Sequence, residues 1–439
     1  MQRTTCRILS TILIVVAFSQ SAWSQASQKW VVSWAASAQG PYPVGNVSAQ
    51  PDQRFAFPDP AAGARDQTMR LIVRPSIWGQ QMRIRLSNVF GTKPVTFDGV
   101  HVGLQLGGPG LTKGTNRPIT FEGKDTVTVS PGRSVWSDGV VLDFVRDPIE
   151  LAGRKLAVSF HIAGESGPMT WHARAMTTSY VSPPGSGALG KSEDEAAFPY
   201  GASSWFFLDA LEMMAPESSF AIVTFGDSIT DGTASTMNGE DRWPDVLARR
   251  LRALHGNRIA VVNAGIGGNQ VTGPAEYSAE KPVPGGPSAR MRIERDVLEL
   301  AGVTHMIWLE GINDFSRNGN APLEKVRDGM KEIISLVRAR RPDLRLIGAT
   351  VITALGSANH GTPEQDAKRR GLNDFIRNSG LFDGVADFDS VTIDQMGGLK
   401  PEFIPDSTVG NAGDKLHPNR AGYLAMGMVI DLDLFRPKP

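Results

Sequence analysis

Five residues of this 439-residue chain have types and settings that could do chemistry together: Ser228, Gly268, Asn313, Asp414 and His417. Ser228 follows a short apolar run, 220–225, and Gly226, so its hydroxyl sits just past the end of what reads as a buried parallel strand. In open α/β sheets the carboxyl ends of the strands line the crevice where ligands bind. Gly268 lies in Asn263-Ala-Gly-Ile-Gly-Gly-Asn269 after a second apolar run, and a glycine there can bring a backbone N–H unusually close to a substrate. Asn313, in Gly311-Ile-Asn-Asp314, follows a third run. Asp414 and His417 come three residues apart, just before Pro418; proline suits the first position of a helix, which places His417 at the lip of the last helix and not inside it. Singly, each motif has a plainer reading: Gly226-Asp-Ser228 as an ordinary turn, Gly268 as another, Asn313 as a helix cap, His417 as a surface or core histidine. Jointly they fall in order at strand ends or just before a helix. One domain thereby supplies a hydroxyl nucleophile, two further hydrogen-bond donors, a histidine and a carboxylate.

The elements that must position these residues are also visible. Beyond 219, apolar runs at 259–263, 304–309 and 344–350 alternate with helical segments near 243–255, 289–301, 323–341 and 365–378, with a weaker strand at 384–388. That alternation predicts a parallel sheet with helices on both faces. Between 30 and 214 the pattern is strands and turns, with alternating runs at 67–74 and 81–88 and shorter ones at 95–102, 125–129, 140–144 and 155–162. An antiparallel β-sandwich or jelly roll is expected there. Segment 205–213 fits helix or strand and is read as the last strand of this part, with 214–218 as the boundary. The expected organisation is a β-domain over 28–215 and a catalytic domain over 218–439.

Composition narrows the class. Lys plus Arg equals Asp plus Glu at 45 each, which argues against nucleic acid or an anionic membrane as partner. Residues 1–24 carry Arg3 and Arg7, an apolar run over 8–18 and Ala22-Trp23-Ser24, the form of a cleavable signal peptide. The run is short of the roughly 20 residues that span a bilayer, so a secreted or periplasmic protein without a stable membrane anchor is expected. The only cysteine, Cys6, lies inside it, leaving no disulfide, thiolate nucleophile or cysteine metal site in the mature chain. No Gly-x-Ser-x-Gly elbow and no His-Glu-x-x-His occurs, so neither an α/β-hydrolase nor a metal hydrolase is expected, and no metal or cofactor.

Taken together, Gly226-Asp-Ser-Ile-Thr230, Gly268-Asn269, Gly311-Ile-Asn-Asp314 and Asp414-Lys-Leu-His417 resemble the four sequence blocks of the SGNH hydrolases, also called GDSL esterases, over about 220–434. Arg242-Trp-Pro-Asp-Val-Leu-Ala248, Leu416-His-Pro-Asn-Arg-Ala-Gly-Tyr423 and the long β-region in front are similar to a secreted subgroup that includes esterases of xylan degradation. The one departure is Ile229 where the name-giving motif has leucine, a packing position. The resemblance implies a three-layer, flavodoxin-like α/β domain and ester hydrolysis through a serine triad. In it His417, held by Asp414, takes the proton of Ser228 as it attacks and returns it to the leaving alcohol. The oxyanion is met by the N–H groups of Ser228 and Gly268 and by the Asn313 amide. The expected substrate is a small-molecule or polysaccharide ester, with acetyl on a sugar favoured. Two rivals stand beside it: a lipase or lysophospholipase acting on longer acyl chains, and a carbohydrate-binding protein with an inactive hydrolase fold. Exposed aromatics in the β-domain, with Trp78, Trp136 and Trp171 as candidates, would favour a binding role, although core positions are the plainer reading; Trp308, in a strand, reads as core.

Overall fold

The structure, a computed structural model, describes residues 27–46, 52–405 and 413–436. The signal-peptide expectation for 1–24, with Cys6, lies outside the described residues.

The C-terminal region is built on five parallel strands: Phe220–Gly226, Ile259–Gly265, Val303–Leu309, Arg345–Ala349 and Gly384–Ala386. The second and third strands flank the first, and the fourth and fifth follow the third outward, the order of a flavodoxin-like doubly wound sheet. The central strand Phe220–Gly226 is buried along its whole length, which is why its sequence is a continuous apolar run without polar alternation. Trp243–His255 packs with Arg420–Val429, and Leu323–Arg340 with Pro363–Asn378. Leu323–Arg340 buries Val326, Met330, Ile333, Ile334 and Val337, one stripe at helical spacing. Pro363–Asn378 starts at a capping box in which Thr362 and Gln365 satisfy each other's backbone N–H.

Three expectations change in detail. The helix expected over 289–301 is a single turn, Ala289–Ile293, that widens into a π-helical turn, Glu294–Leu298. The strand expected at 384–388 stops at Ala386, because Asp387 accepts the N–H of Ser390 and starts the helix Phe388–Thr392. Pro418 is not the first residue of the last helix. The Asn419 side chain accepts from the N–H groups of Ala421 and Gly422, a stronger start signal, so the helix begins at Arg420 and Pro418 lies outside it.

The N-terminal part consists of antiparallel sheets. In one, Leu208–Pro216 lies between Gln28–Ala35 and Gln81–Ser87, with Ser134–Trp136 beyond; the other is centred on Arg65–Val73, Leu156–Glu165 and Val95–Gly107. The ambiguous segment 205–213 is strand, as Trp205–Phe206 and Leu208–Pro216. Trp78 and Trp171 are 1% exposed and belong to the core, as does Trp308. Trp136 is half-buried, with the guanidinium groups of Arg83 and Arg85 over its ring, so none of the three candidate aromatics is an open platform for a sugar.

The two parts share apolar packing. Val31, Val32 and Ala35 of the first strand, with Ile77, Ala210 and Ala215, belong to the same buried cluster as the parallel sheet. The N–H of Val32 bonds the carbonyl of Ala301 at 2.9 Å. Trp78 and Asn257 exchange two hydrogen bonds, at 2.8 and 2.7 Å, and Arg74 pairs with Glu240 and Asp245, each at 2.7 Å.

Candidate active site

The strand ends are level. Gly226 stands opposite Gly265 on one side and Leu309 on the other, so the turns that follow all three strands open on one rim of the sheet. Gly226 has no room for a side chain, since a Cβ there would run into the Leu309 carbonyl and the Thr230 hydroxyl. Asp227 then leaves the strand in extended geometry and caps the four-residue helix Ser228–Asp231, its Oδ1 accepting from the Ile229 N–H at 2.9 Å. Gly232, at φ +103°, ends the helix with its N–H on the Ser228 carbonyl. Ser228 is thus fixed at a sharp strand-to-helix bend, buried apart from 6% of its surface.

The structure brings Ser228, His417 and Asp414 together. Nε2 of His417 lies 2.7 Å from Oγ of Ser228, and Nδ1 lies 2.5 Å from Oδ2 of Asp414. A carboxylate oxygen only accepts, so Nδ1 carries the proton and the bare Nε2 accepts from the serine hydroxyl. Asp414 is fixed by its own turn: its Oδ1 accepts the N–H groups of Leu416 at 2.9 Å and His417 at 2.8 Å, with Lys415 between them at φ +56°. Burial opposes its charge, but the hydrogen bond and charge of His417 and these two N–H groups outweigh it and hold the carboxyl well below the usual carboxylate range.

Asn313 is buried in the turn after Val303–Leu309. Its Nδ2 donates to the carbonyl of Asn269 at 2.9 Å, and its Oδ1 lies 3.1 Å from Nε2 of His360. Gly268, at φ +82°, precedes that Asn269 carbonyl, so the second and third motifs are joined at the rim. The space beside Gly268 is tight: a Cβ would stand 3.0 Å from Nδ2 of Asn46, a residue of the N-terminal part. Asn269 is occupied structurally, its Nδ2 on the carbonyls of Gly285 and Pro287 and its Oδ1 taking a bond from Arg292.

Several residues of the site were given no role in the sequence reading. Arg292, fully buried, donates to Gly226 O, Ala264 O and Asn269 Oδ1, each at 2.7 Å, and lies 3.8 Å over the Phe225 ring. It braces the first two strand ends at once. Asp314 accepts from Val271 N–H, Thr272 N–H and the Thr272 hydroxyl, tying the third strand end to the loop after the second. His360 could have been noticed by the rule that found the others, since it lies in the loop beyond the fourth apolar run. Behind Ser228, burial pushes the carboxyls of Asp227 and Asp314 up and that of Glu310 up to about 7.

A cavity of about 290 Å³ lies elsewhere, between the N-terminal sheets and helix Trp243–His255, where Trp34, Arg74, Trp205 and Arg252 line it and Ser228 and His417 do not. Among the described residues no three His, Cys, Asp or Glu side chains are grouped to hold a metal ion, and no helix is long and apolar enough to cross a membrane.

Residues 224–425 match the family described as GDSL-like Lipase/Acylhydrolase, and this region belongs to that SGNH/GDSL superfamily of hydrolases. The protein is accordingly a carboxylic-ester hydrolase. No curated protein matches the chain. Among solved structures, a G-D-S-L-family protein from Desulfitobacterium hafniense is similar at 19% identity and TM-score 0.36, over 48% of this chain and 97% of that one. A carbohydrate acetylesterase from Sinorhizobium meliloti is similar at 13% identity and TM-score 0.36, over 48% and 95%. An aryl esterase of M. smegmatis is similar at 14% identity and TM-score 0.36, again over 48% and 95%.

Proposed function

We propose that the protein is a secreted serine esterase that removes short acyl groups, acetyl above all, from carbohydrate esters. The observation that carries this reading is the chain Ser228 Oγ, His417 Nε2, His417 Nδ1, Asp414 Oδ2, at 2.7 and 2.5 Å. Ser228 attacks the ester carbonyl while its proton passes to His417 Nε2, and Asp414 stabilises the imidazolium that forms. The carbonyl oxygen, now negative, takes hydrogen bonds from the N–H groups of Ser228 and Gly268 and from Asn313 Nδ2. His417 then gives its proton to the leaving alcohol, the acyl group stays on Ser228, and water repeats the sequence to release the acid.

Short acyl groups are supported by the loop 271–288, which is rich in Gly, Pro and Glu where a long-chain lipase would need an apolar trench or lid. That loop is tied to the N-terminal part, with the Tyr277 hydroxyl donating to the Gly40 carbonyl at 2.7 Å and accepting from the Gly40 N–H at 2.9 Å. We read residues 28–215 as a β-sandwich of jelly-roll type that shapes this wall, 218–439 as the catalytic domain, and 1–24 as the export signal. The test is a series of p-nitrophenyl esters from acetate to palmitate, together with acetylated xylan, on wild type and Ser228→Ala. Expected are the highest kcat/KM on acetate, acetate release from xylan, and loss of both in the variant. Rates climbing to palmitate with no release from xylan would replace this reading with a long-chain lipase.

A further inference from the structure

We propose that His360 is a positioning residue of the oxyanion hole, acting through Asn313. The inference rests on the reading of Asn313 as an oxyanion donor and goes one residue beyond it. Nε2 of His360 lies 3.1 Å from Oδ1 of Asn313, and an amide oxygen only accepts, so Nε2 carries the hydrogen and His360 is the donor. The orientation of the amide is fixed independently at its other end, where Nδ2 donates to the Asn269 carbonyl at 2.9 Å. Turned over, Asn313 would set its oxygen against that carbonyl, two acceptors face to face. Held at both ends, the amide keeps one Nδ2 hydrogen unspent, in a plane it cannot leave. A donor on Oδ1 also polarises the amide, so the remaining N–H becomes a better donor to a negative oxygen.

The loop carrying His360 is built to present it. It runs from strand Arg345–Ala349 to helix Pro363–Asn378, and the Asn359 carbonyl accepts both the Arg317 N–H and the Gln365 side chain at 3.0 Å. Arg317 belongs to the turn that follows Asn313, so the two segments are locked together next to the contact in question. A side chain at Gly361 would collide with the carbonyl of Ala354, which keeps the loop closed. Histidine has a further merit here: burial, with the charge of His417 adding and that of Asp414 opposing, lowers its pKa to about 4. It therefore donates as a neutral ring and sets no second cation beside His417 when that residue becomes an imidazolium.

The test is a double-mutant cycle on p-nitrophenyl acetate with His360→Ala, His360→Gln, Asn313→Ala and the pair His360→Ala with Asn313→Ala, each first shown by near-UV circular dichroism to keep its tertiary fold. His360→Ala is expected to lower kcat on the order of 10- to 100-fold with KM nearly unchanged, less than the loss of a direct donor. Glutamine, whose amide nitrogen can occupy the place of Nε2, is expected to restore most of it. In the Asn313→Ala background, removing His360 should change kcat less than about 2-fold, since nothing is left to position. Equal losses in both backgrounds, an effect confined to KM, or no rescue by glutamine would overturn the inference. A slow Asn313→Ala beside a fast His360→Ala sinks His360 alone, whereas a fast Asn313→Ala removes the oxyanion reading and the inference with it.

Discussion

Ser228, the proposed nucleophile, is easy to see in a sequence; the carboxyls behind it are not. Glu310 is fully buried, one oxygen accepting from Trp308 Nε1 at 2.8 Å and the other without a hydrogen-bond partner, 3.8 Å from Nη2 of Arg292. Burial raises its pKa from 4.5 to about 7, against the pull of Arg292 and Trp308. Between those two values the folded chain holds a proton that the unfolded chain has released. The associated stability is full below pH 4.5 and is lost as pH rises through 7. Glu310→Gln keeps the acceptor for Trp308 and cannot ionise. Its stability relative to wild type, from urea unfolding, is expected to improve by on the order of 2–3 kcal/mol between pH 5 and pH 8. A difference flat across that range would mean that Glu310 is ionised throughout and paired with Arg292. At this scale the convergence of Ser228, Asp414 and His417, and of the Gly268 and Asn313 segments, was legible, because strand-end position and residue type together are informative. The position of His360 in a loop after a strand was visible, but its contact with Asn313 was not, and Glu310 acquires its character from burial and from Arg292, which local pattern does not carry.

The strand ends are held level by an element whose sequence looks ordinary. Nothing in 289–295 distinguishes Arg292 from Arg290 or Arg295, yet Arg290 is an exposed partner of Glu332 while Arg292 is fully buried. The phase of one short helical turn decides between them. A periodicity reading recovers the parallel strands and most helices to within a residue or two, but the π-turn after Ile293 and the true start of the last helix depend on hydrogen bonds it cannot see. Arg292→Lys tests what the brace does. A lysine is a point donor and cannot serve Gly226, Ala264 and Asn269 together. It is expected to cost roughly 2–4 kcal/mol of stability, by urea unfolding, because buried acceptors lose their partners. It should also lower kcat at least about 10-fold at a temperature where the variant is still folded, since a misplacement near 1 Å can cost that much. Full kcat in a less stable variant would make Arg292 a brace of the fold and not of the site.

The antiparallel and parallel sheets were legible as separate patterns; their interdependence was not, because it lies in apolar side chains of the first strand that share a buried cluster with the parallel sheet. Each valine so buried contributes about 1.5–3 kcal/mol, and Val31 and Val32 are both fully buried in the cluster of the C-terminal region. A buried ion pair crosses the same junction. His172 of the N-terminal part has Nδ1 at 3.0 Å from the Ser37 carbonyl and Nε2 at 3.1 Å from both the Arg174 carbonyl and Asp231 Oδ1, so acceptors face both ring nitrogens. Both nitrogens must then donate, which only the imidazolium can do. Burial works against that charge, but the charge and hydrogen bond of Asp231, joined by the two carbonyls, outweigh it and raise the pKa above 6.5. A histidine with a raised folded pKa stabilises fully below its unfolded value and loses that contribution as pH rises through the folded one. Asp231 is also the last residue of the helix that begins at Ser228, so the pair fastens that helix to the N-terminal sheets. Differential scanning calorimetry of wild type and His172→Gln at pH 6 and pH 9 tests this. Wild type should melt in one transition with equal calorimetric and van't Hoff enthalpies, and the variant should lose more stability at pH 6 than at pH 9. Equal losses at the two pH values would make His172 neutral in the fold, and two separate transitions in wild type would show that the parts unfold independently.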